Sequence, residues 1–182
     1  MTVFVSMLRG VNVGGHSRVK KEALKAAYAA LGLRNVRTLL QSGNVLFTSG
    51  LKDRRALAQR ITQELERRLD LKIEVLVRTL AEIRTIVERG PVSARADPSK
   101  LLVMFLSGVP DARGQAALAR EHKGPEMLEI RGPEVYLYYP DGVGRSKLST
   151  AFLESALDVS GTARNWNTLK KMLELGATLE AT

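Results

Sequence analysis

The chain contains no cysteine, so neither disulfides nor thiolate metal sites are available to it. Histidine is almost as scarce. His16 and His122 stand far apart and fit no ligand spacing, so no metal and no cofactor is expected. Aromatic residues make up only 5% of the sequence, with a single tryptophan. No apolar run approaches the length of a membrane span, so no membrane partner is expected either. The opening Met1-Thr2-Val3-Phe4-Val5 runs straight into a strand-like pattern, which argues against a signal peptide and for a cytoplasmic location.

What is present is ordinary in bulk and uneven in charge. The 182 residues are 45% hydrophobic and 26% charged, a soluble globular composition that forms one large domain or two small ones. Formal net charge is +9. Residues 1–90 hold 17 Lys and Arg against 8 Asp and Glu, whereas residues 91–182 hold 11 of each. An excess confined to one half points to an anionic partner, a small molecule or a nucleic acid. It is also what a solvated helix face produces, since Arg54, Arg55, Arg60, Arg67 and Arg68 share one expected helix.

Hydrophobic patterning orders the elements. Val3–Leu8 reads as a buried strand, and Leu24, Ala27, Tyr28 and Leu31 mark a helix stopping at Gly32. Two strands, 36–41 and 44–49, meet at Ser42-Gly43 as a hairpin. Asp53 caps a helix carrying Leu57, Ile61, Leu65 and Leu69, and Lys72–Arg78 alternates as a strand. The order β-α-β-β-α-β is the split βαβ, or ferredoxin-like, arrangement. Thr79 and Glu82 then form a capping box for a helix ending near Gly90.

The second half repeats the theme. A strand at 101–107, a helix at 111–122, a hairpin across Gly132-Pro133 and helices at 150–157 and 166–175 are expected. The fold class is therefore α+β, with two ferredoxin-like (α/β-plait) halves, the second degenerate. Residues 1–79 form the basic half and 80–182 the other, with a linker near 91–100. Both faces of the central strands are apolar, so the helix-free face is expected to be covered by the other half or by a second subunit, as in a homodimer.

Polar, glycine-spaced segments are the candidate site. In this topology the loop after the first strand and the hairpin after the second share one sheet end. That brings Arg9, Asn12, Gly14 and Gly15 beside Gln41, Ser42 and Asn44. Glycines before a helix suit a phosphate or carboxylate, although a tight turn needs them equally. Gly10-x4-Gly15-His16-Ser17 approaches a P-loop, but His16 replaces the required Lys and the strand order is wrong. Arg145, Ser146 and Lys147 place two cations around a hydroxyl ahead of a helix, a candidate anion clamp that also reads as a solvated turn. Arg164, Asn165 and Asn167 surround Trp166, which is a core plug more readily than a stacking platform. Ser17-x-x-Lys20 lacks its companion motifs, and the strands lack the aromatics of an RNA-recognition domain.

The segments Leu8-Arg-Gly-Val-Asn-Val-Gly-Gly15, Gln41-Ser-Gly-Asn-Val45, Gly144-Arg-Ser-Lys-Leu148 and Thr162-Ala-Arg-Asn-Trp-Asn-Thr168 together resemble the bacterial family called domain of unknown function 1697. The resemblance implies two α/β-plait halves and no particular reaction. His16 stands where that family often has Lys, and Lys20-Lys21 where it often has Pro-Met. Three functional expectations follow: a protein binding a nucleotide or nucleic acid at these loops, a small enzyme acting on a phosphorylated metabolite through Ser42 or Ser146, or a non-catalytic homodimeric interaction module.

Overall fold

The computed structural model describes residues 1–11, 19–39 and 43–181. The chain forms two compact units, Met1–Ile86 with Lys170–Thr182, and Val87–Leu169. Each has a four-stranded, wholly antiparallel sheet. Together they carry six helices among the described residues.

In the first unit, β1 (Thr2–Leu8) is followed by α1 (Lys21–Ala30), β2 (Arg34–Leu39), β3 (Asn44–Ser49), α2 (Arg54–Leu69) and β4 (Val75–Thr79). The sheet order is β2-β3-β1-β4. Alternation along the strands sends Phe4, Leu8, Val45, Phe47, Val75 and Val77 into one core with Leu24 and Tyr28 of α1 and Leu57, Ile61 and Leu65 of α2. Phe4 stacks on Phe47, and Tyr28 meets Phe47 edge-on. Tyr28 is fully buried, so its hydroxyl needs a partner and finds Ser6 Oγ at 2.7 Å. Burial pushes the Tyr28 phenol far above its usual range. The opposite sheet face is buried too, at Val3, Val5, Met7 and Leu46.

Helix starts follow their caps. Asp53 accepts from the Arg55 and Ala56 backbone N–H groups at 2.9 and 3.1 Å. The capping box closes both ways: Thr79 N donates to Glu82 at 2.7 Å, and Glu82 N donates to Thr79 Oγ1 at 3.1 Å. The resulting helix, α3 (Leu80–Glu88), ends before Gly90 at φ +77°.

The second unit repeats this order. It comprises β5 (Leu101–Leu106), α4 (Ala112–Glu121), β6 (Met127–Arg131), β7 (Glu134–Tyr138), α5 (Thr150–Leu157) and β8 (Gly161–Asn165). Its sheet order is β6-β7-β5-β8. A last helix, α6 (Trp166–Glu180), follows. The expectation of a degenerate second half is thus corrected, because β8 supplies a full fourth strand. Its Gly, polar and Arg residues carry no hydrophobic run, yet it pairs with β5 from Leu102↔Asn165 to Leu106↔Gly161. Close approach explains the glycine: a Cβ on Gly161 would lie 2.6 Å from Phe105 O.

Candidate functional site

In the first unit the described backbone shows where the end of β1 lies. Leu8 N donates to Gly43 O at 2.8 Å, and Arg9 N donates to Glu74 O at 3.0 Å. The exit of β1 therefore lies between the end of the β2–β3 hairpin and the entry to β4. Gly10 and Gly43 both take positive φ, at 73° and 63°, which a side chain would strain. Arg9 pairs with Glu74 at 3.2 Å, both half-exposed. Asn44 is fully buried and sits opposite Met7 in the sheet. Asn12, Gly14, Gly15, Gln41 and Ser42 lie outside the described residues, as do His16 and Ser17.

A cavity lies in the second unit, a cleft of about 790 Å³. One wall is the turn after α4, from Glu121 to Glu126; the other runs from Tyr139 through Asp141, Arg145, Ser146 and Lys147 to Leu148 and Phe152. Arg145 and Lys147 are exposed at its rim, as is Lys123 across from them. The motif expected at a helix start is displaced from it. Arg145 closes a short 3-10 turn, and α5 begins later, capped by Ser149 on Phe152 N at 3.1 Å. No helix N-terminus therefore stands behind this cation pair. α5 starts at Thr150, where the sequence places it, and Ser149 rather than the cation pair caps it.

Ser146 fixes the loop instead. Its hydroxyl donates to Glu126 Oε1 in a short hydrogen bond and accepts from Leu148 N at 2.9 Å. Glu126 has a side chain only 7% exposed. The Ser146 hydroxyl holds the Glu126 carboxyl below the usual range, against the effect of burial and helped by its own backbone N–H and by His122. The carboxylate is thus ionised at neutral pH. His122 Nε2 lies 3.0 Å from Glu126 O, and since a carbonyl only accepts, this nitrogen carries the proton. Tyr139 donates its hydroxyl to Leu148 O at 2.9 Å, and burial pushes its phenol up to about 12. Both loop walls are therefore tied from below.

The third segment is not a loop. Thr162 to Asn165 lies on β8, and only Trp166 starts a helix. Arg164 is buried, with Nη1 donating to Thr162 Oγ1 at 2.7 Å and to Ala163 O at 2.8 Å. Burial pulls its guanidinium down to about 10. Asn165 donates to Ser99 O at 2.9 Å and accepts from Asn167 N at 2.9 Å, so it joins β8 to the turn before β5 and starts α6. Trp166 is 4% exposed and tilts against Tyr136, the core plug expected. None of these residues lines the cleft.

Sequence patterning did not single out Glu121, Lys123, Gly124, Glu126, Tyr139 or Phe152. A signal existed: charged residues bracket Gly124-Pro125, a turn just ahead of a strand. No group of three metal-ligating side chains occurs among the described residues. No described helix is long and apolar enough to cross a membrane.

Two antiparallel α/β units, one with a cleft bordered by charged side chains, define a class of mixed α+β protein. More specifically, residues 1–136 match the family described as "Protein of unknown function (DUF1697)", and the chain belongs to that family. The matched stretch ends before the 144–148 and 162–168 segments. A conserved bacterial protein from Streptococcus pneumoniae shares the fold, at 21% identity and a TM-score of 0.70 over 96% of this chain and 98% of that one. No curated protein matches the chain.

Proposed function

We propose that the second unit binds a small anionic molecule in its cleft, with Lys123, Arg145 and Lys147 meeting the negative group and Phe152 supplying an apolar wall. One observation carries this reading. Three exposed cations converge on a preformed volume of about 790 Å³, within the usual range of about 300–1,000 Å³ for small-molecule sites. The loops need no reordering, because Ser146 and Tyr139 already hold them. The reading takes each unit as a ferredoxin-like plait and the protein as cytoplasmic.

Isothermal titration with inorganic phosphate and with adenosine 5′-monophosphate at low salt tests it. Binding should weaken about tenfold in Lys147→Ala or Arg145→Ala, the loss of one charge-assisted contact. Absence of binding, or affinity unchanged in both variants, overturns it.

A second reading rests on charge. The first unit holds 18 Lys and Arg against 9 Asp and Glu, while the second holds 10 of each. Arg55, Arg60, Arg67 and Arg68 of α2 are exposed. This face suits a polyanion such as nucleic acid. Affinity for single-stranded or duplex DNA that does not fall steeply with salt refutes that reading.

A further inference from the structure

The cleft does not present one sign of charge. Lys123, Arg145 and Lys147 share it with Glu121, Glu126 and Asp141. Glu121 and Asp141 are exposed and screened by solvent, but Glu126 is not. A buried carboxylate repels any phosphate that approaches it. The rim cations and Glu126 therefore cannot serve the same group of a ligand.

Glu126 also has acceptor capacity to spare. A carboxylate offers about four lone-pair positions. Ser146 and the residue's own backbone N–H engage it, and among the described residues no further donor lies within hydrogen-bond reach. His122 Nε2 stands 4.0 Å from Oε2 and is committed to the Glu126 carbonyl. A Cβ on Gly124 would fall 1.9 Å from Glu126 Oε2 and 3.2 Å from His122 Cε1, so a side chain there would push the carboxylate aside. An acceptor with open lone-pair positions beside a cleft can take a donor from a ligand.

Resting on the anion-binding reading above, we infer that the ligand is bipolar. It is a phosphorylated nucleoside or sugar whose anionic group meets the rim cations while a hydroxyl or amino group donates to the Glu126 carboxylate. The anion supplies attraction, and Glu126 supplies selection against anions lacking a donor at the right reach. A site built to receive a donor discriminates strongly, because the partnerless ligand leaves the acceptor unpaired.

The test compares inorganic phosphate, ribose 5-phosphate and adenosine 5′-monophosphate by titration calorimetry on the full chain and on Glu126→Gln. Glutamine keeps an oxygen for Ser146 but loses the negative charge and turns one terminus into a donor. The expected result is that one or both organic phosphates bind at least about tenfold tighter than inorganic phosphate. That gap should close in Glu126→Gln through a loss of about tenfold in organic-phosphate affinity, while inorganic phosphate, relieved of the carboxylate's repulsion, binds no more weakly than before. Equal affinity of ribose 5-phosphate and the nucleotide assigns the donor to the sugar; tighter nucleotide binding assigns it to the base. Should Glu126→Gln not fold, Gly124→Ala displaces the same carboxylate and is expected to close the gap likewise. Equal binding of all three anions, or a gap that survives both variants, overturns the inference and leaves anion binding standing. No binding of any anion overturns both.

Discussion

Gly114→Ala sets two known effects against each other. Gly114 lies in the first turn of α4, where Ala is intrinsically better by up to about 1 kcal/mol. The added Cβ, however, would stand 2.8 Å from Leu157 O and 3.1 Å from Leu157 C and Cα, at the end of α5. These are backbone atoms of a helix end and cannot swing aside as a side-chain tip does. α4 would have to lift by roughly half an ångström, disturbing the cap in which Gly114 N donates to Asp111 at 2.7 Å. Overpacking of this kind costs about 1–3 kcal/mol. The full helix gain would leave a net loss of about 0–2 kcal/mol, and the small gain expected in a first turn puts it at about 1–2 kcal/mol. In a chain of this size that lowers the Tm by about 2–8 °C. Thermal and urea unfolding measure the loss, and hydrogen exchange should locate it in α4 and α5. Gly176→Ala serves as the comparison: its Cβ would fall 2.4 Å from Leu80 Cδ1 and 3.0 Å from Leu80 Cγ, a buried side chain, so it should destabilise too but leave exchange in α4 and α5 unchanged. A Gly114→Ala protein more stable than the parent by about 1 kcal/mol would refute the close approach of the two helices.

Ser146→Ala removes two hydrogen bonds and leaves Leu148 N and the Glu126 carboxylate each short of a partner, so the second unit should lose about 1–3 kcal/mol by urea unfolding. Asp53→Ala leaves two N–H groups of α2 uncapped and should cost about 1 kcal/mol in the same assay. Glu64 is held at about 2 by the Arg67 and then the Arg68 guanidinium. Its folded pKa lies below its unfolded one, so the stabilisation is complete above pH 4.5 and is lost as the pH falls toward 2. Glu64→Gln should flatten the stability profile over that window, and an unchanged acid slope counts against the pairing.

The first unit was legible because its signals are local and redundant. Period-two strands, the Asp53 cap and the Thr79–Glu82 box each mark a boundary independently. β8 was not, because its burial comes from pairing with β5 rather than from its own composition. Gly161 and Arg164 read as loop residues until register places them. The same limit applied to the cleft. Arg145, Ser146 and Lys147 were visible as a charged cluster, but Glu126 lies 20 residues earlier and joins Ser146 only through tertiary structure. The cation pair does not border a helix N-terminus because Arg145 closes a separate 3-10 turn and Ser149 caps α5.

Repetition of topology in this chain is not repetition of a site. The two units share an element order, so equivalent loops can be named within each. In the first, the long polar connection leaves the end of β1 beside the β2–β3 hairpin. Its counterpart after β5 is the short stretch 107–111, tied by Ser107 N to Ser160 O at 2.8 Å and facing the tight Gly132-Pro133 turn. The cleft of the second unit lies at the other sheet end, where Tyr139 N donates to Lys100 O at 3.0 Å and Lys100 Nζ donates to Pro140 O at 2.6 Å. A fold fixes where loops emerge, and loop length and polarity decide which of them can hold a ligand. The binding proposed for the second unit therefore rests on residues 121–126 and 139–152 alone. It cannot be inferred from, or transferred to, the glycine loop of the first.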